Sequence, residues 1–268
     1  MEIFAPQGKQ IVVLLSGGLD STLAFMIAEK QGYKPIGLFV DLGQPYRKKE
    51  FKVIKNLRAR YPDQIKTLIM PIISADAGNV PSIDVEGKAQ IIEGRNLILA
   101  TAGAVYGDDL WICADLGTLH HGCMADKSYR FFKTASESLS VAFDKPVVVR
   151  SPVGHLTKTQ LVKLGLESGI TEAEISSTST CYHPTLKRCG ECLTCFQRYV
   201  AMRLNGIKER HTINPLESEY ATAHLIKIRD AWEHQDFSHY HQRRIIEVMQ
   251  VYGLDTTAPM FPLERTNG

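Results

Sequence analysis

The chain has no Walker-type phosphate loop. The pattern G-x-x-x-x-G-K-[ST] is absent from all 268 residues, so any nucleotide must be held by another device. No apolar run approaches the ~18 residues of a membrane span. The first residues show no charged-then-apolar leader pattern. These absences lead us to expect a soluble, cytoplasmic protein with no membrane contact. A surplus of charge of one sign is missing too. The formal net charge is +2, too small for a broad basic field, and direct nucleic-acid binding is not indicated. Cysteine is sparse and uneven: the chain has six, four of them in residues 181–195. Such crowding argues against a disulfide framework and for a metal in a reducing compartment. No internal repeat or low-complexity segment occurs. What is present is a 44% apolar chain, long enough for one large α/β domain or a domain with an appendage.

The most informative segment is Ser16-Gly17-Gly18-Leu19-Asp20-Ser21-Thr22. Residues 11–15 before it are apolar and rich in β-branched side chains, which predicts a buried strand. Residues 20–30 carry Leu23, Ala24, Ile27 and Ala28 at helical spacing, and Gly32 closes the helix. Paired glycines let the backbone approach a ligand closely. A helix start adds free N–H groups and the positive end of a dipole. The combination predicts an anion site, most simply for phosphate. Ser16, Ser21 and Thr22 add hydroxyl donors.

Further apolar runs at 34–40, 65–72, 110–114 and 146–150 read as strands. Helical patterns fall between them. Residues 49–61 have Phe51, Val53, Ile54 and Leu57 as the expected inner face, residues 97–106 are expected to be buried on most sides, and 128–143 form a third helix. Short connections between such elements imply right-handed crossovers and a parallel sheet. Ligands then bind beyond the carboxyl ends of the strands, where Ser16 and Asp41 fall. Asp41 is a candidate for adenine or ribose contact, or equally a capping or solvated residue. Residues 74–93 lack periodicity and read as a lid or substrate wall. Thr157-x-x-Gln160 and Thr171-x-x-Glu174 are capping boxes. Residues 196–207 read as a helix, and 217–235 and 238–252 as a polar α-hairpin. The predicted fold is an α/β, Rossmann-like parallel sheet of five strands with helices on both faces, followed by a helical, zinc-bearing C-terminal region. The expected division is 1–155, 156–215 and 216–268.

Cys181, Cys189, Cys192 and Cys195 offer four thiolates at spacings of x7, x2 and x2. This suits a closed tetrahedral Zn²⁺ site of structural type, with Gly190 easing the first tight turn. An iron–sulfur cluster is the competing reading, and unligated thiols a third. Cys113 reads as a core thiol. Cys123 is a nucleophile or an inert thiol, and His120 and His121 are ligands, acid–base groups or solvated loop residues. His183 is not expected to ligate.

The pattern SGG-x-DS at 16–21 resembles the pyrophosphate loop of the ATP-pyrophosphatase superfamily. With GQPYRKKE at 43–50, GRN at 94–96 and STCYHPTLKRCGECLTC at 179–195, the chain resembles the 7-cyano-7-deazaguanine synthase family over about residues 11–203. Residues 156–159 carry a fainter echo of that family's L-x-K helix start. The resemblance implies an ATP-dependent ligase. A 7-deazaguanine carboxylate attacks the α-phosphate of ATP and releases pyrophosphate. Ammonia then displaces AMP to give an amide, and a second adenylation dehydrates the amide to the nitrile. It implies ATP and Mg²⁺ beside the zinc, and a homodimer. Carried onto this sequence, the catalytic residues are Ser16, Asp20, Ser21, Arg95 and Lys158. The nucleotide is expected at Leu14, Ser16, Gly17, Gly18, Leu19, Asp20, Ser21, Thr22, Asp41, Gln44, Arg95 and Asn96. Arg95 and Lys158 would clamp phosphate or carboxylate, or else be surface cations.

Residues 118–130 depart from that family's substrate segment, D-x-S-G-Y-P-D-C-R, with scattered matches only. Two further readings follow. One is a divergent enzyme that adenylates a related carboxylate and hands it to another amine or to a nucleic-acid or protein acceptor. The other is a non-catalytic, zinc-bearing nucleotide-binding module.

Overall fold

Strand β1 (Gln10–Leu15) is apolar and buried at every position after Gln10. Only a central strand covered on both faces has that pattern. The computed structural model describes residues 8–44, 47–70, 94–115, 125–181, 183, 188–238 and 240–256. In it β1 is followed by α1 (Leu19–Lys30), β2 (Lys34–Asp41), α2 (Arg47–Arg60), β3 (Ile65–Ile69), α3 (Arg95–Ala104), β4 (Asp109–Trp111), α4 (Tyr129–Ala142) and β5 (Val148–Arg150). Helices α5 (Lys158–Glu167), α6 (Glu172–Ser177), α7 (Leu193–Leu204), α8 (Glu219–Glu233) and α9 (Gln242–Val251) complete the described chain.

The five strands are parallel in the order β3-β2-β1-β4-β5. Alternate residues of β1 serve opposite faces. Ile11, Val13 and Leu15 pack with α1, with Val53, Ile54 and Leu57 of α2, and with Leu161 and Val162 of α5. Val12 and Leu14 pack with Ala100 and Ala104 of α3 and with Phe132 and Leu139 of α4. The predicted two-sided sheet is therefore present. Its strand order reverses between β1 and β4, and that switch point opens a crevice at the carboxyl edge.

Several expected details differ. Phe51 is 48% exposed rather than inward. Its position lies off the Val53, Ile54 and Leu57 stripe, and its ring leans on Phe39 at 6.3 Å between centroids. Helix α3 is less buried than its composition suggests. Leu97 faces solvent, while Ala100, Ala102 and Ala104 face the core. Small side chains bring α3 close to the sheet: a Cβ on Gly103 would lie 3.3 Å from Leu14. β5 begins two residues late, and β4 stops short of its apolar run, where the Ser151 side chain takes over the pairing. Its hydroxyl accepts from the Ala114 N–H (3.0 Å) and donates to the Ala114 carbonyl (2.7 Å). The C-terminal hairpin is present, but it is not simply polar. Ile228, Trp232, Ile245, Val248 and Met249 pack on Phe196 and Val200 of α7. The proposed lid at 74–93 lies outside the described residues. Among the described residues, no helix is long and apolar enough to cross a membrane.

A buried ion pair fastens α7 to the rest. Arg198 is fully buried and grips Glu209 through two hydrogen bonds of 2.7 Å. It also donates to Thr178 Oγ1 (2.7 Å) and to the Ile175 carbonyl (3.1 Å). Burial opposes the Glu209 charge, yet the Arg198 hydrogen bonds outweigh it and hold the carboxyl below its usual range. Removing the guanidinium takes both short hydrogen bonds from a buried carboxylate and leaves it Arg188 alone, 3.2 Å away. Arg198→Ala is expected to cost about 3–5 kcal/mol in chemical denaturation of the full chain, while Arg203→Ala, on the same helix, should cost far less.

Candidate active site and metal centre

The turn after β1 is bent by Gly17, whose φ is +67°. A Cβ there would lie 3.0 Å from the Glu50 carbonyl and 3.1 Å from Val53, so glycine is required for both torsion and space. The Gly17 carbonyl accepts from the Ser179 N–H at 2.8 Å. This ties the loop to the segment leading into the cysteines. Ser16 and Ser21 hydroxyls are 3.3 Å apart, and Ser16 Oγ accepts from the Gly18 N–H at 3.2 Å. Gly18 caps α1 with no side-chain acceptor. The first-turn N–H groups are thus left for an anion.

Lys158 opens α5 and reaches across to two carboxylates. Its ammonium lies 2.5 Å from Asp20 Oδ2 and 2.9 Å from Asp115 Oδ2. Burial opposes the charge, but Asp115 and Asp20 outweigh it and hold the ammonium above lysine's usual value. Lys158 is no surface cation. Asp20 Oδ1 is buried with no hydrogen-bond partner among the described residues. Burial, with Asp20 nearby, pushes the Cys113 thiol up; it is a protonated core thiol, as expected.

The other expected residues lie around this loop or hold the turns beside it. Arg95 begins α3 behind the left-handed Gly94 and adds to the field at Glu50 and Lys127. Asn96 is buried and donates to the Asp126 carbonyl at 2.9 Å, so it braces the turn Ala125–Lys127. Gln44 is bonded at both ends of its amide: Oε1 accepts from the Leu42 N–H (2.8 Å) and Nε2 donates to Glu50 Oε2 (2.6 Å). Asp41 Oδ1 accepts from the Gly43 N–H at 2.9 Å, the capping role weighed for it. Leu14 and Leu19 are core side chains, and Thr22 is buried beneath the loop.

Four residues were missed in the sequence. Asp115 follows β4 at the carboxyl edge, a position that the strand-end rule could have flagged. Burial lowers the Lys127 ammonium, with Arg95 and Lys158 adding to the effect. It therefore stands with them as a third cation. Glu50 sits in the first turn of α2, where burial pushes its carboxyl up to about 7. Glu247 of α9 accepts the Thr157 hydroxyl, while Thr157 Oγ1 accepts from the Gln160 N–H as the predicted capping box requires. No local pattern marks Glu247. His120, His121 and Cys123 lie outside the described residues.

Beyond Ser179 the four cysteines converge. Their sulfurs all lie within 4.8 Å of one another, near enough to ligate one ion together. His183 is not in this set; its carbonyl and that of Cys181 each accept from Lys49 Nζ at 2.6 Å. Gly190 has a φ of +90°, and a Cβ there would collide with the Ile213 carbonyl at 1.9 Å. The tight turn between Cys189 and Cys192 therefore needs this glycine. The Cys189 hydrogen bond draws the Cys181 thiol down, and Cys181 pushes Cys195 up: the thiols share protons that a cation would displace.

The family model described as queuosine biosynthesis protein QueC matches residues 10–206. A 7-cyano-7-deazaguanine synthase 2 of Colwellia psychrerythraea is 30% identical over 218 residues, covering 75% of this chain and 97% of that protein. A 7-cyano-7-deazaguanine synthase of Thermoplasma acidophilum is 28% identical, covering 79% and 92%. For the 7-cyano-7-deazaguanine synthase 2 of Sulfurisphaera tokodaii the identity is 30% and the coverage 75% of this chain, but 47% of that protein; the chain spans about half of that relative. The match takes in the phosphate loop, Lys158 and all four cysteines, and the chain belongs to the QueC family.

Proposed function

We propose that this chain is an ATP-dependent 7-cyano-7-deazaguanine synthase. It adenylates 7-carboxy-7-deazaguanine, converts the adenylate to the amide with ammonia, and dehydrates the amide through a second adenylation. One observation carries this reading: at the uncapped start of α1, Lys158 is bound to Asp20, whose other oxygen is buried without a partner among the described residues, and Arg95 and Lys127 add positive charge to the same field. Fixed donors of this kind stabilise the negative charge that grows on departing pyrophosphate.

The loop N–H groups from 19 to 21 and the Ser16 and Ser21 hydroxyls would hold the β- and γ-phosphates. Lys158, locked between Asp20 and Asp115, cannot swing away. It offers its charge at a fixed point, so no reorganisation is needed as the transition state forms. Arg95 and Lys127 would orient the substrate carboxylate toward the α-phosphate. Asp20 Oδ1 fits a Mg²⁺ ion, which would neutralise charge on the leaving group. The cysteines fit Zn²⁺. Zn–S bonds of about 2.3 Å give tetrahedral edges of about 3.8 Å, and Cys189 and Cys195 are 3.8 Å apart. An iron–sulfur cluster, with one cysteine on each iron, would spread the sulfurs further. Such a zinc ion would order the turn that leads back to Ser179.

The direct test is product mass. Incubation with ATP, ammonium and 7-carboxy-7-deazaguanine should yield AMP, pyrophosphate and the nitrile. AMP without nitrile would favour the divergent enzyme with another acceptor, for which the altered residues 118–130 speak. Asp20→Asn and Lys158→Met should each lower pyrophosphate release about 100- to 1,000-fold with the fold intact by circular dichroism. Unchanged release would leave only a binding module. Elemental analysis should find one zinc per chain and none in Cys195→Ser. Chelation should release it and lower the thermal midpoint; iron and sulfide in its place would refute the zinc assignment.

A further inference from the structure

Ammonia must lose one proton as it becomes an amide, and the cations and lysine-bound carboxylates of the site are poor acceptors for it. Lys158, Arg95 and Lys127 are cations, Asp20 and Asp115 are engaged by Lys158, and the Cys113 thiol is protonated. Glu50 remains. Its backbone presses on Gly17 of the phosphate loop, so its first-turn position is fixed relative to the phosphates. Gln44 engages Oε2 at 2.6 Å, which orients the carboxyl. The charged groups that influence it are Arg95 from the start of α3 and Asp41 from the end of β2. Arg47, on the same helix, lies 4.0 Å from Asp41.

We propose that Glu50 is the general base for the amide-forming step. The inference rests on the adenylation reading above and assigns a residue to its second half. The ammonia lone pair forms the C–N bond at the acyl carbon. The C–O bond to AMP breaks, and AMP leaves with that electron pair. One N–H proton passes to the Glu50 carboxylate and then to solvent. Burial pushes this carboxyl up to about 7. A carboxylate so tuned is a stronger base than one in water and still substantially ionised at neutral pH. Arg95 limits the rise, which keeps the ionised form available.

The test separates the two half-reactions. Glu50→Gln preserves size and a hydrogen-bonding head. It should leave pyrophosphate release within a few-fold of wild type and lower ammonia-dependent amide formation about 100-fold. Hydroxylamine, largely neutral at pH 7 and less dependent on a base, should still trap the acyl group as hydroxamate. In the wild-type protein, amide formation at constant free ammonia should rise with pH through about 7, as Glu50 ionises, and this rise should vanish in Glu50→Gln. Equal losses with ammonia and hydroxylamine, no loss with either, or a flat wild-type profile would each overturn the assignment. The wild-type profile decides the matter even if the variant fails to fold. Absence of pyrophosphate release by wild-type protein given the acid and ATP would instead remove the adenylation reading, and this inference with it.

Discussion

Lys158 joins three parts of the molecule that the chain keeps far apart. Its ammonium binds Asp20 at the start of α1 and Asp115 just after β4, from its own place in the first turn of α5. A buried ammonium between two carboxylates is tolerable only because the charges meet at hydrogen-bond distance. The arrangement fixes the crevice from both sides of the sheet's switch point. It also leaves one Asp20 oxygen buried without a partner among the described residues.

The C-terminal elements reach this centre by two routes. Arg198 and Glu209 fasten α7 against α6 through a dry, bidentate pair. Glu247, from α9 and beyond the segment that the family model covers, takes the hydroxyl of Thr157 immediately before Lys158. The final hairpin therefore buttresses the N-terminus of α5, rather than hanging on the surface as a polar appendage.

Local patterns were the legible part of the sequence. The strand, glycine turn and helix at 10–30, both capping boxes and the cysteine spacings each depend on residues a few positions apart. The structure reproduces them with small shifts of boundary. Pairings across the fold could not be read. Asp20 and Lys158 are 138 positions apart, and Thr157 and Glu247 are 90. Phe51 was misread because helical spacing allows two adjacent stripes and tertiary packing chose the other. Gln44 and Asn96 also hold neighbouring turns through side-chain hydrogen bonds, a role that their motif positions do not announce. Glu50 was hidden because nothing in a charged run such as RKKE says which member will be dried out.

The hydrogen bond from Ser179 to the Gly17 carbonyl gives the loop an anchor outside its own strand and helix. The SGG-x-DS turn is therefore not a portable cassette. Grafted into another parallel sheet, it would lose its tether and the α2 backbone that crowds Gly17, and its N–H groups would no longer be aimed at one point. In this scaffold the glycine turn and the cysteine cluster are mechanically continuous: a disturbance at the cysteines would reach Gly17 through Ser179.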